Sequence, residues 1–195
     1  MNPKTQKKPG KPLVLRFITS NPHKAEEAQN ILKGYGIKLI QKDVNCDEIR
    51  AEDVSQVAYA CAMLVSKKFK GNFVLEDSGL FVKALNGFPG VYSKVAYGKI
   101  GTGGILRLMR GCSDRSAQFR CSIALMLGGR VRVITGACNG TISHAAKGKG
   151  GFGFDPVFIP QGSNKTFAED LANKSRVSHR SRAFRALGRF LARKR

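Results

Sequence analysis

Acidic residues are scarce in this chain. Of 195 residues, 13 are Asp or Glu against 34 Lys or Arg, giving a formal charge of +21 and a sequence pI near 10.3. Such a balance points to nucleic acid, anionic lipid or polyphosphate as the class of partner, although a solvated basic surface accounts for the same charge. Long apolar runs are also missing. LVLRFIT (13 to 19) is short and interrupted by Arg16, well below the roughly 20 residues that span a bilayer, so neither a membrane span nor a signal peptide is expected. Cysteine is sparse: Cys46, Cys61, Cys112, Cys121 and Cys138 are odd in number and widely spread, and they form no C-x-x-C pair. That pattern argues against a disulfide framework or zinc knuckle, and for buried thiols in a reducing cytoplasm. The P-loop G-x-x-x-x-G-K-[ST] is absent, and GKGGFG at 148 to 153 does not satisfy it. No Ser-His-Asp or Cys-His arrangement can be argued from spacing.

What is present suffices for one folded unit. Hydrophobic residues make up 42% of the chain, ample for a core. MNPKTQKKPGKP carries only positive charge and several structure breakers, so residues 1 to 12 are expected to be a basic flexible arm ahead of a single domain, 13 to 195. LVLRFIT reads as a buried strand. SNPHKAEEAQNILKGYG follows as a helix capped by Ser20 or Asn21, with Pro22 in the first turn and Gly34 or Gly36 as the stop. KLIQKDV is a strand. EDVSQVAYACAMLVSKKF places Val54, Val57, Ala58, Cys61, Leu64 and Val65 at helical spacing. FVLED, LFVKAL, a helix around GGILRLMRG, and a hairpin turning at Gly128 and Gly129 come next. A short helix is expected near TFAEDLA. A final helix from about Ser178 has Ala183, Phe184, Leu187, Phe190 and Leu191 on one face and Arg182, Arg185, Arg189 and Arg193 on the other. Early alternation of strand and helix with a later hairpin predicts a mixed α/β sheet.

Against the general shortage of acids, Glu76 and Asp77 stand side by side in FVLEDSGL. Adjacent carboxylates repel unless a cation or proton is near, so the pair is either a turn or a site. Glu48, on an earlier segment, makes a three-carboxylate site for Mg²⁺ conceivable, since hard cations take oxygen ligands. TSNPHK sits where a strand gives way to a helix, and there backbone N–H groups, the helix dipole and Lys24 can receive a phosphate; ordinary capping explains the same residues. GGFGFDPVF offers rings for a flat base or for the core. NKSRVSHRSRAF gathers Lys174, Ser178, His179 and Arg180 around a helix start.

Taken in order, TSNPHK, EDSGL, NGFPGVYS, GGFGFDPVF and K-x-x-x-SHR resemble the inosine triphosphate pyrophosphatase family, from about Leu13 to Leu191. The resemblance implies an α/β fold with an elongated central mixed sheet flanked by helices, two lobes around a nucleotide-binding cleft, a homodimer, and a requirement for Mg²⁺. It implies hydrolysis of ITP, dITP and XTP to the monophosphate and pyrophosphate, clearing deaminated purines. Asp77 would activate water; Asp77, Glu76 and Glu48 would hold the metal. Thr19, Ser20, Asn21, Pro22, His23 and Lys24, with Ser78 and Lys94, would lie along the phosphates. Phe152 would stack on the base beside Gly153, Phe154 and Asp155, while Lys174, Ser178, His179 and Arg180 would read its edge. Two other readings compete: a Maf-type nucleotide pyrophosphatase, and a basic RNA-binding protein on the same scaffold.

Overall fold

The computed structural model describes residues 13–44, 46 and 49–194. The proposed N-terminal arm and Glu48 lie outside them. Among the described residues the chain runs β1 (Leu13–Ile18), α1 (Pro22–Lys33), β2 (Ile37–Lys42), α2 (Val54–Lys68), β3 (Phe73–Val82), β4 (Pro89–Gly90), α3 (Ser93–Leu108), β5 (Ser116–Leu127), β6 (Arg130–Ile142), β7 (Phe158–Pro160), α4 (Leu171–Val177) and α5 (His179–Ala192). One mixed sheet holds all seven strands in the order β2-β1-β3-β5-β6-β7, with β4 on the edge of β3. β1 pairs in parallel with β2 and β3, and the remaining pairings are antiparallel.

The strand-helix-strand crossovers cover both faces. On one face Leu15, Phe17, Val74, Cys121 and Ile123 pack against Ala28 and Leu32 of α1 and Phe184 and Leu187 of α5. On the other, Phe73, Leu75, Ala124 and Met126 meet Ala58, Ala62 and Val65 of α2. A third core joins Leu80, Val82 and Phe119 to Ile105 and Met109 of α3 and to Phe158 and Phe167. The predicted elements form, with three differences. The stretch expected as FVLED followed by a separate extended piece is one ten-residue strand that runs through EDSG without turning. The helix around GGILRLMRG begins earlier, at Ser93, and carries a kink at Gly101. The helix expected at TFAEDLA starts only at Leu171, after Asp170 caps it by accepting from Asn173 N. The cysteine expectation fails at one pair: Cys46 and Cys61 are joined by a disulfide across 15 positions, because the chain after β2 returns beside the middle of α2; Cys112, Cys121 and Cys138 are free.

Two glycine features fix the geometry that matters for the site. The β5-β6 hairpin turns at Gly128 and Gly129, both with positive φ (56° and 76°), as a tight turn between twisted strands requires. Gly136, opposite Cys121 in the register, lets β6 touch the first turn of α5: a Cβ there would collide with the carbonyl of His179 and the amide of Ala183. The sheet and the start of α5 meet through bare backbone. Gly136→Ala is therefore expected to destabilise the fold by about 1–3 kcal/mol through overpacking, read as a lowered denaturation midpoint with an unchanged denaturant slope.

Candidate active site

The site begins with the alternation of β3. Strand period places Glu76 on the face of Val74, toward α1 and α5, and Asp77 on the face of Leu75, toward α2. Adjacent acids thereby occupy opposite sides of the sheet, which lessens the repulsion posed by the sequence without removing it.

Glu76 is fully buried and surrounded by donors. Arg180 Nε lies 3.1 and 2.9 Å from its two oxygens, Arg180 Nη2 lies 2.8 Å from Oε1, and Lys24 Nζ lies 3.1 Å from Oε1. The Cys121 thiol donates to Oε2 at 3.4 Å, and Arg180 Nη2 also donates to Ser78 Oγ at 3.1 Å. Burial alone would raise the Glu76 pKa, but the charges of Arg180 and Lys24 outweigh it and hold the carboxyl well below its ordinary value. Arg180 is raised in turn: burial opposes its charge and Glu76 overrides the burial.

From Arg180 the contacts continue. Arg180 Nη1 donates to Glu27 Oε2 at 2.8 Å; Glu27 Oε1 accepts from Lys174 Nζ at 2.6 Å; Lys174 Nζ also donates to Asp155 Oδ2 at 2.6 Å. That oxygen accepts from the Phe152 amide at 2.8 Å. The result is a string of alternating sign, Lys24, Glu76, Arg180, Glu27, Lys174, Asp155, ending at the Phe152 loop. Burial lifts the Asp155 pKa, with Lys174 opposing; at Glu27 burial also acts upward, and the Arg180 and Lys174 charges reverse it to a net lowering. Lys174 Nζ lies 4.6 Å and Arg180 Cζ 5.4 Å from the Phe152 ring centre, and the His23 ring stacks on Phe152 at 5.4 Å and 18°.

Asp77 has a different environment. Its Oδ2 is buried and has no hydrogen-bond partner among the described residues. Burial raises its pKa, Lys24 opposes, Glu76 and Asp53 add to the rise, and the outcome is about 6.

Other expected residues take varied positions. Thr19 Oγ1 accepts from Asn21 N, and Asn21 Oδ1 accepts from His23 N and Lys24 N, so these side chains build the turn that delivers Lys24 to Glu76. Ser20 and Pro22 are exposed at the same turn. Ser178 caps α5 by accepting from Ser181 N. His179 is buried and stacks on Phe119 at 4.6 Å and 9°; burial and the Arg180 charge push its pKa well down, and its Nδ1 has no partner among the described residues. Phe154 is buried with Tyr97 edge-on at 5.3 Å, while Gly153 holds a left-handed φ of 62° beside it. Lys94 is exposed in the first turn of α3, outside the string. The Arg-rich face of α5 is partly committed: Arg182 donates to Val177 O, and Arg185 to Arg176 O and Ser175 O, closing the end of α4. Glu27 carries no motif of its own in the sequence. Its only signal was a pair of acids after TSNPHK, which lie past the first turn of α1.

Fold and cluster together define an α/β protein that sets buried, paired cations beside a carboxylate with one unpaired oxygen. The chain belongs to the Ham1 family, whose model matches residues 15–190. It is 45% identical over 178 residues to a dITP/XTP pyrophosphatase of Thermococcus kodakarensis, spanning 91% of this chain and 96% of that one, and 44% identical over 179 residues to one of Ignicoccus hospitalis (90% and 95%). In three dimensions it resembles a HAM1 protein from Coxiella burnetii, with a TM-score of 0.81 and 30% identity over 93% of this chain and 99% of that one.

The raised Asp77 pKa carries a sign. A carboxyl shifted from 3.8 to about 6 on folding favours the native state while protonated; that contribution is full below the unfolded value and lost as pH rises through about 6. The difference corresponds to about 3 kcal/mol at pH 8. In chelator-treated protein, Asp77→Asn should raise the melting temperature at pH 8 and change it little at pH 4, when the two are compared by thermal denaturation.

Proposed function

We propose that this protein hydrolyses ITP, dITP and XTP to the nucleoside monophosphate and pyrophosphate, in the manner named for its relatives. The observation that carries the reading is the contrast within the adjacent acids: Glu76 is saturated by Arg180 and Lys24, while Asp77 keeps a buried, unpaired oxygen. A carboxylate with a pKa near 6 is suited to take a proton near neutral pH. Water attacks the α-phosphorus, its proton passes to Asp77, and the bond to the β-phosphate breaks with its electron pair leaving on pyrophosphate. Lys24 has further N–H donors beyond the one given to Glu76 and offsets charge on the phosphates.

The base lies against Phe152, whose loop is fixed through Asp155, Lys174 and Glu27. Buried beside Phe152, Lys174 and Arg180 each keep one N–H beyond those given to Glu27, Asp155, Glu76 and Ser78, and such donors favour a 6-oxo purine. An adenine amino group would leave such donors unpaired, costing about 1–3 kcal/mol, or ~10–100-fold.

Mg²⁺ belongs to the same proposal. The Asp77 carboxylate, with about four acceptor sites, has room for a hard cation as well as a water, and Glu48 would complete the set. Glu76, also expected as a ligand, does not fit, because Arg180 and Lys24 already occupy its oxygens. When bound, the ion neutralises phosphate charge in the cleft. Glu76 is assigned instead to positioning Arg180 and Lys24.

Purified protein with Mg²⁺ should release pyrophosphate from ITP and XTP at least ~10-fold faster than from ATP, and Asp77→Asn should abolish release. Equal rates across purine and pyrimidine triphosphates would sink the proposal, and a preference for modified pyrimidines would favour the Maf-type reading. Independently of turnover, Mg²⁺ should raise the melting temperature of the wild type at pH 8 and leave Asp77→Asn unmoved.

A further inference from the structure

Ser122 is fully buried, and its Oγ, like Asp77 Oδ2, finds no hydrogen-bond partner among the described residues. The two belong together. In the antiparallel pairing of β3 with β5, Asp77 stands directly opposite Ser122. Directly opposed residues have Cα atoms about 4.5–5.5 Å apart and project from the same face of the sheet. The next pair along that face, Leu75 and Ala124, lies in the apolar core against α2, so the polar pair marks the end of that core. Two buried oxygens on facing strands, each unpaired and not bonded to one another, are accounted for by a third group held between them.

We propose that Ser122 is a positioning residue, holding the attacking water jointly with Asp77. The inference rests on the hydrolytic reading above. The water donates one hydrogen to Asp77 Oδ2 and the other to Ser122 Oγ, which leaves a lone pair on its oxygen for the α-phosphorus. As the new P–O bond forms, the proton on the Asp77 side transfers to the carboxylate and the electron pair of the broken bond departs on pyrophosphate. Ser122 neither gains nor loses a proton. Its function is to fix the direction of the lone pair, a role that Asp77 alone, with one bond to the water, cannot fill.

Two measurements test this. Ser122→Ala and Ser122→Val should each lower kcat on ITP by ~10–100-fold, with KM for ITP changed less than about twofold, and Ser122→Thr, which restores a hydroxyl, should recover most of the loss. In a high-resolution crystal structure of the wild-type protein, a water should lie about 2.7–3.0 Å from both Asp77 Oδ2 and Ser122 Oγ, and it should be lost in Ser122→Val. If the alanine variant does not fold, the valine and threonine variants decide. A kcat within twofold of wild type in Ser122→Ala or Ser122→Val, a loss confined to KM, or a threonine variant as impaired as the valine one would overturn the inference. The hydrolytic reading fails separately, if the wild type does not release pyrophosphate from ITP or XTP.

Discussion

The buried contact between Arg180 and Glu76 is the interaction on which the rest of the site depends. Neither group tolerates burial alone: removing one partner of such a pair typically costs about 3–5 kcal/mol, because the other charge is left desolvated and uncompensated. Here each member of the pair also has a second partner, Lys24 on one side and Glu27 on the other. The string that results is electrically balanced, with Lys24, Arg180 and Lys174 against Glu76, Glu27 and Asp155. It ties the first two turns of α1, the middle of β3, the segment before β7, the middle of α4 and the start of α5 into one assembly. Lys24 and the Phe152 loop are thus held to the same frame.

Balance within the string explains why Asp77 stands apart. Every cation of the string already has a carboxylate, so Asp77, on the opposite face of β3, has no dedicated counter-charge and its pKa moves upward with burial. The strand's two-residue period separates a fully paired acid from one with an unpartnered oxygen, with no intervening residue.

Much of the fold was legible because local rules and burial agreed. Asn21 and Pro22 start α1, Ser178 starts α5, and the paired glycines turn the hairpin, as their intrinsic preferences dictate. EDSG was harder, since Asp-Ser-Gly is compatible with a turn, and pairing with β5 over the whole of β3 overrides that preference. The Cys46 to Cys61 bond was missed because spacing of 15 residues says nothing until the path after β2 is known. Glu27 and Ser122 were missed for a similar reason: each is an ordinary residue for its element, and only its neighbours distinguish it.

By itself the sequence determined the inventory and its local placement: few acids, a capped helix start after β1, an acid pair on a strand, a ring-bearing loop and a basic helix start. Tertiary structure decided who meets whom. Arg180 reaches Glu76 across 104 positions and Glu27 across 153, and no periodicity or propensity extends that far. Those partnerships follow from the sheet order and from β6 approaching α5 at Gly136, and they convert six separate charges into one neutral frame beside a carboxylate oxygen without a partner among the described residues.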